Sequence, residues 1–124
     1  TSASNLKNTY GEIKMYQAET KKHIKSGKTF CGLLMGDHSK TGIHTAFDTA
    51  TVFGAFCNIF GASTPPKHIP SFSWGGSSGF SIYKLPRFFD VAEKVYLRRK
   101  ITFSDLEKDI LSHVYSVTKK YRNE

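Results

Sequence analysis

Between Leu33 and Gly61 the chain alternates small and bulky positions with a period of six. Met35, Thr41, Phe47, Phe53 and Ile59 form a mostly bulky column; Leu33, Ser39, Thr45, Thr51 and Cys57, two residues before each, form a mostly small one. Gly36, Gly42 and Gly54 follow directly on the bulky column, so a residue that turns without steric cost recurs at the corners, with Asp48 and Phe60 in the remaining places. A helical period would scatter these columns, and simple alternation would not bring glycine back at every sixth position. The pattern predicts an all-β fold, a parallel β-helix in which each hexad supplies one short strand and one corner. With three hexads to a coil the stretch makes about one and a half coils, fewer than the three stacked units usually needed. Coils upstream, or other copies of the chain, are expected to supply the missing support.

The flanks read differently. Tyr10-Gly11 closes the first segment with a turn, and Glu12 to Tyr16 alternates in strand fashion. Residues 17–29, QAETKKHIKSGKT, carry no hexad and predict an exposed, lysine-rich loop inserted in the repeat. After Gly61, the proline- and glycine-rich ASTPPKHIPSFSWGGSSG predicts an end cap and linker, with Ile69, Phe72 and Trp74 covering an open end. Trp74 is read as packing, with a stacking platform for an adenine ring as the other reading. Two helices follow. Pro86 suits a first turn ahead of Phe88, Val91, Ala92, Val95 and Tyr96. Ser104 and Glu107 make a capping-box pattern before a stripe of Phe103, Leu106, Ile110, Val114, Val117 and Tyr121.

Charge sharpens this division. Residues 1–30 carry six lysines against two glutamates, residues 31–83 two lysines against two aspartates, and residues 84–124 ten basic against six acidic residues, for a net charge of +8. The repeat is neutral and the basic charge lies on its flanks, where a phosphate-bearing ligand could be held or where the lysines simply form a solvated surface. No nucleic-acid module or basic-aromatic stripe accompanies the charge, so no nucleic-acid partner is expected. No apolar run approaches the ~18 residues that span a bilayer, and no secretory leader pattern is present, so a cytoplasmic protein with no membrane partner is expected. Cys31 and Cys57 read as small hydrophobes of a reducing compartment.

Three motifs, SNLKNTYG at Ser4 to Gly11, FCGLLMGDHSKTGI at Phe30 to Ile43 and IPSFSWGG at Ile69 to Gly76, give the chain a resemblance to a known family. It resembles the left-handed β-helix domain of the bifunctional N-acetylglucosamine-1-phosphate uridyltransferase/glucosamine-1-phosphate acetyltransferase family and the related bacterial sugar nucleotidyltransferase-like proteins. The resemblance implies a left-handed coil of hexapeptide repeats over residues 1–74 with an inserted loop near 17–29, followed by a linker and two-helix tail over 75–124. It also implies a homotrimer. The parent chain would carry an N-terminal nucleotidyltransferase domain, since no nucleotide-binding glycine signature occurs here. The expected activity is acetyl transfer from acetyl-CoA, as co-substrate, to a hexosamine 1-phosphate; the alternative is a noncatalytic trimerisation domain of a sugar-1-phosphate nucleotidyltransferase.

Acetyl transfer to an amine needs a base for the proton and a donor for the oxyanion. His38 and His44, six apart, fall on adjacent faces of one coil, which also disfavours a metal site. His23 and His68 read as exposed loop residues and His113 as a helix-surface residue. In the resembling family the catalytic histidine lies upstream of the segment matched by Thr1-Ser2-Ala3-Ser4-Asn5, so no catalytic residue is assigned. Asn5 matches an asparagine of the amino-sugar site, although Leu6 replaces the tyrosine that often follows. Lys7 and Lys28 are the expected contacts for the sugar phosphate. Gly42, Ile43, Gly54, Ala55 and Gly61 match corners that line the coenzyme A groove, and serve equally as ordinary turns.

Overall fold

In the computed structural model, which describes residues 3–122, every hexad becomes a two-residue strand ending on the bulky column. These strands are β4 (Leu34–Met35), β5 (Lys40–Thr41), β6 (Ala46–Phe47), β7 (Val52–Phe53) and β8 (Asn58–Ile59). They pair in parallel with partners elsewhere: β6 with β1 (Ala3–Ser4), β7 with β4 and β9 (His68–Ile69), and β8 with β5 and β10 (Ser73–Gly76). Leu34 lies opposite Val52 and Lys40 opposite Asn58, three hexads apart, because the backbone N–H of each strand finds the carbonyl of the next at 2.8 to 3.0 Å. Two antiparallel hairpins complete the strands: β2 (Lys14–Gln17) with β3 (Lys22–Lys25), and β10 with β11 (Gly79–Ile82). The helices are α1 (Leu85–Arg98) and α2 (Asp105–Val117), followed by a 3-10 turn at Lys119–Tyr121.

The expected all-β, left-handed parallel β-helix of hexapeptide repeats is corrected by this arrangement. The strands fall into four small sheets, both parallel and antiparallel, and the helices hold about a quarter of the chain. The six-residue repeat survives as strand register rather than as an all-β solenoid. The physical reason lies in where the apolar surface goes. Phe47, Phe53, Cys57, Ile59 and Ile69 bury among themselves inside the strands. A second and larger cluster joins Phe56 and Phe72 to Tyr83, Phe88, Ala92, Phe103 and Leu111, so the helices are part of the core and not a tail. Each fully buried large side chain contributes roughly 1.5 to 3 kcal/mol, which makes the helix side indispensable.

The corners also differ from expectation. The left-handed backbone positions are His38, His44, Ala50 and Phe56, at φ of 58 to 60°, each two residues beyond the places where glycine recurs. Gly36 and Gly54 are required for another reason: segments distant in sequence bring their backbones together there. A Cβ on Gly54 would stand 2.6 Å from the Ser71 nitrogen, and one on Gly36 would stand 2.6 Å from the Gly54 carbonyl oxygen.

Both helices start near their sequence signals. Pro86 occupies the first turn of α1, and Ser104 with Glu107 forms a complete capping box on α2. The buried stripe of α2 is rotated from the expected one. Leu111, with Val114 and Tyr115 beside it, faces the core, whereas Leu106, Ile110 and Val117 are exposed. No described helix is long and apolar enough to cross a membrane.

Candidate anion-binding cleft

The hairpin β2–β3 forms a sheet of its own that touches β9 through Tyr16 and His68, and it is held at its base by Ile13, which is buried. Ile13 donates its N–H to the Lys28 carbonyl (2.9 Å), and its own carbonyl accepts from the Ser26 N–H (3.0 Å) and the Ser26 hydroxyl (2.6 Å). Strand alternation then puts Lys14, Tyr16, His23 and Lys25 on one face, since Lys14 pairs with Lys25 and Tyr16 with His23. That face turns toward β9. The Tyr16 ring lies between His23, at 5.3 Å, and His68, at 4.6 Å.

Beneath the hairpin is a cleft of about 320 Å³ lined by Lys7, Ile13, Lys14, His23, Thr49 and Lys67. Three lysines and a histidine line it, and no acidic residue does. Lys7 is fixed by donating to the Glu12 carbonyl oxygen (2.9 Å), while the Glu12 carboxylate is occupied in accepting the Gly27 N–H (3.0 Å). Like charges converge here without internal neutralisation, an arrangement that favours a multiply charged anion. His68, packed behind Tyr16, has its pKa lowered by burial, so its ring is held toward the neutral form.

The expected site residues are distributed as follows. Lys7 lines the cleft. Lys28 is exposed and contributes its backbone, accepting from Ile13, rather than the cleft wall. Asn5 is exposed, with its N–H donated to the Phe47 carbonyl (2.7 Å). Thr1 and Ser2 lie outside the described residues. Of the positions matched to the coenzyme A groove, Gly42 donates its N–H to Ile59 (2.8 Å), Ile43 is 76 % exposed, and Gly54 is closed off by Ser71. Gly61 takes a positive φ of 122° in an exposed bend. Ala55 lines a separate cleft against α2 together with Asp37, His38, Tyr96 and Glu107.

His68, expected as an exposed loop residue, is half-buried on β9. His38, expected on a face of the repeat, is enclosed by Phe56, Phe88 and Tyr96. Sequence reasoning also missed Lys14 and Lys67 as members of one cleft. The strand alternation of residues 12–16 carries a signal for Lys14, whereas Lys67 sits among prolines with nothing local to mark it. Among the described residues no group of His, Cys, Asp and Glu side chains is arranged to hold a metal ion. Cys57 is buried, its Sγ 3.2 Å from the Pro70 carbonyl, and burial raises its thiol pKa; it is a packing residue. Compared with known proteins, the chain matches no family model, no curated protein and no solved structure.

Proposed function

We propose that this chain binds a phosphorylated small molecule in the cleft beneath the β2–β3 hairpin, as the acceptor-binding part of a sugar-nucleotide biosynthesis enzyme. The observation that carries the reading is the convergence of Lys7, Lys14 and Lys67 around one cleft with no carboxylate on its walls. A hexosamine 1-phosphate as the acceptor, and acetyl-CoA as the acetyl donor, follow from the resemblance of the three motifs and enter on that basis. The dianionic phosphate pairs with the lysines, since charge-assisted contacts are the strong ones. The amino group of the sugar then faces the His23 side of the cleft.

Calorimetric titration with glucosamine 1-phosphate and with inorganic phosphate tests this. Saturable binding that weakens with salt is expected for both, with Lys14→Gln or Lys67→Gln reducing affinity about tenfold, the equivalent of one lost charged contact. Absence of binding at millimolar ligand, or binding indifferent to both substitutions, would discard the cleft as the acceptor site.

A second reading, assembly of the chain into a homotrimer, is favoured by a different observation. Leu6, Phe30, Leu34, Met35 and Ile43 are all exposed, and β4 and β5 are edge strands of their sheets. The two readings are compatible.

A further inference from the structure

The hairpin β10–β11 meets the start of α1 in a larger cleft, about 500 Å³, lined by Trp74, Ser81, Ile82, Tyr83, Lys84 and Arg87. Trp74 is half-buried and approached edge-on by Tyr83 at 4.7 Å. The Arg87 guanidinium lies over the indole, 4.6 Å from its centroid. Lys84 and Arg87 are both exposed, and no acidic residue stands in the first turn of α1. The nearest carboxylate along the helix, Asp90, is paired with Lys94 at 2.8 Å, and among the described residues Arg87 makes no ion pair. The cleft therefore combines an indole, its face covered by the Arg87 guanidinium, with two cations that form no ion pair among the described residues.

We propose that this cleft is a second ligand site, for a nucleoside phosphate, whose base stacks on the Trp74 indole while its phosphate pairs with Lys84 and Arg87. Each part of such a ligand has a counterpart here. A planar base gains from an indole face because stacking on an aromatic ring tolerates any base. A phosphate gains from a guanidinium, whose planar fork of donors matches two phosphate oxygens. Pairing with the phosphate would draw the Arg87 guanidinium, on its long side chain, off the indole face that it covers. The volume falls within the range of small-molecule sites, about 300 to 1,000 Å³. A simple sugar phosphate would leave the aromatic wall unused, and a neutral aromatic would leave the cations unused; the class of ligand that uses both is aromatic and anionic. This site does not depend on the lysine cleft, from which it is distinct in every lining residue.

The chain holds a single tryptophan, so its fluorescence reports this cleft alone. The probe is AMP, titrated with adenosine and ribose 5-phosphate as the two halves of the ligand. Saturable quenching by AMP is expected, with each half at least about tenfold weaker, the ratio that one lost charged or stacking contact produces. Lys84→Gln and Arg87→Gln, both at exposed positions, should weaken AMP by a similar factor with an unchanged far-UV circular dichroism spectrum. Lys14→Gln, in the other cleft, should leave AMP quenching as it was. Linear quenching that never saturates, equal strength for ribose 5-phosphate and AMP, or AMP affinity retained in a Lys84→Gln/Arg87→Gln double variant would each overturn the assignment. AMP affinity lost on Lys14→Gln would do the same by moving the phosphate to the lysine cleft.

Discussion

The imidazole of His38 lies nearly parallel to the phenol ring of Tyr96, with centroids 5.7 Å apart and planes 23° apart, and this stack joins the repeat to the first helix. His38 is boxed further by Phe56 at 5.2 Å and Phe88 at 5.6 Å. Tyr96 in turn donates its hydroxyl proton to the Glu107 carboxylate at 2.9 Å, and Glu107 caps α2 through the Ser104 N–H and hydroxyl. A corner of the repeat, α1 and the start of α2 are thus coupled through three side chains.

Acid should loosen that junction. Burial lowers the His38 pKa, and Lys40 adds to the effect against the smaller opposing fields of Asp37 and Glu107. The unfolded chain then binds more protons at this position than the folded one, so stability rises with pH through the window just below about 6.5 and is lost as pH falls through it. Glu107 acts in the same direction at lower pH. Hydrogen bonds from the Ser104 backbone and from Tyr96 lower its pKa, so its contribution disappears as it protonates. His68, also lowered by burial, adds to the first window. Melting temperatures should drop between pH 7.5 and pH 5.5, and His38→Gln should shallow the drop; an undiminished slope in that variant would remove His38 from the account.

Phe47 tests the strand interior. It is fully buried and stacked on Phe53 at 5.3 Å. Phe47→Ala is expected to cost roughly 3 to 5 kcal/mol in chemical denaturation. Asp48→Ala, at the half-buried next position, should cost much less. Equal shifts of the two midpoints would contradict the placement of the bulky column inside.

The glycines of the repeat should not be equivalent. A Cβ at Gly54 meets the Ser71 backbone nitrogen at 2.6 Å, which no side-chain rotation relieves, whereas one at Gly42 meets Phe60 Cβ and Thr45 Oγ1 at an ordinary 3.6 Å. Gly54→Ala should therefore destabilise by at least about 1 to 3 kcal/mol, as overpacking does, and Gly42→Ala should lie within about 0.5 kcal/mol of the parent. A tolerated Gly54→Ala in thermal melts would show that the Gly54 and Ser71 backbones do not approach so closely.

The legible part of this fold was local. The six-residue period located every short strand from Leu34–Met35 to Asn58–Ile59, and Ser104 with Glu107 located the start of α2, because both signals are carried by residues close in sequence. What they could not reveal was which surfaces meet. Phe56 belongs to a corner of the repeat, yet its partners are Phe72 and Phe88, at 4.6 and 4.4 Å. Nothing in the period tells that the helices dock there, and so an all-β reading failed. The lysine cleft was half legible for the same reason. Lys7 was flagged by its motif, but Lys14 and Lys67 come together only because a hairpin folds over β9.

Association is the last expectation, and it rests on edges. Among the described residues, strands β4 and β5 lie at the edges of their sheets. On those same strands or beside them, Leu34 is 51 % exposed, Met35 47 % and Ile43 76 %. Open strand edges bearing apolar side chains promote pairing with another chain, and natural proteins usually blunt them with charge. Lys40 is the one charged residue within these two strands, so little charge blunts the edges. Sedimentation should therefore show self-association at micromolar concentration, with the trimer that the motif resemblance implies as the expected species. Leu34→Lys combined with Ile43→Lys places charge on that surface without touching either buried cluster, and should shift the chain to monomer with its far-UV circular dichroism unchanged. A parent chain that sediments as a monomer at the same concentration would set aside the assembly reading and leave the lysine cleft as a site formed within one chain.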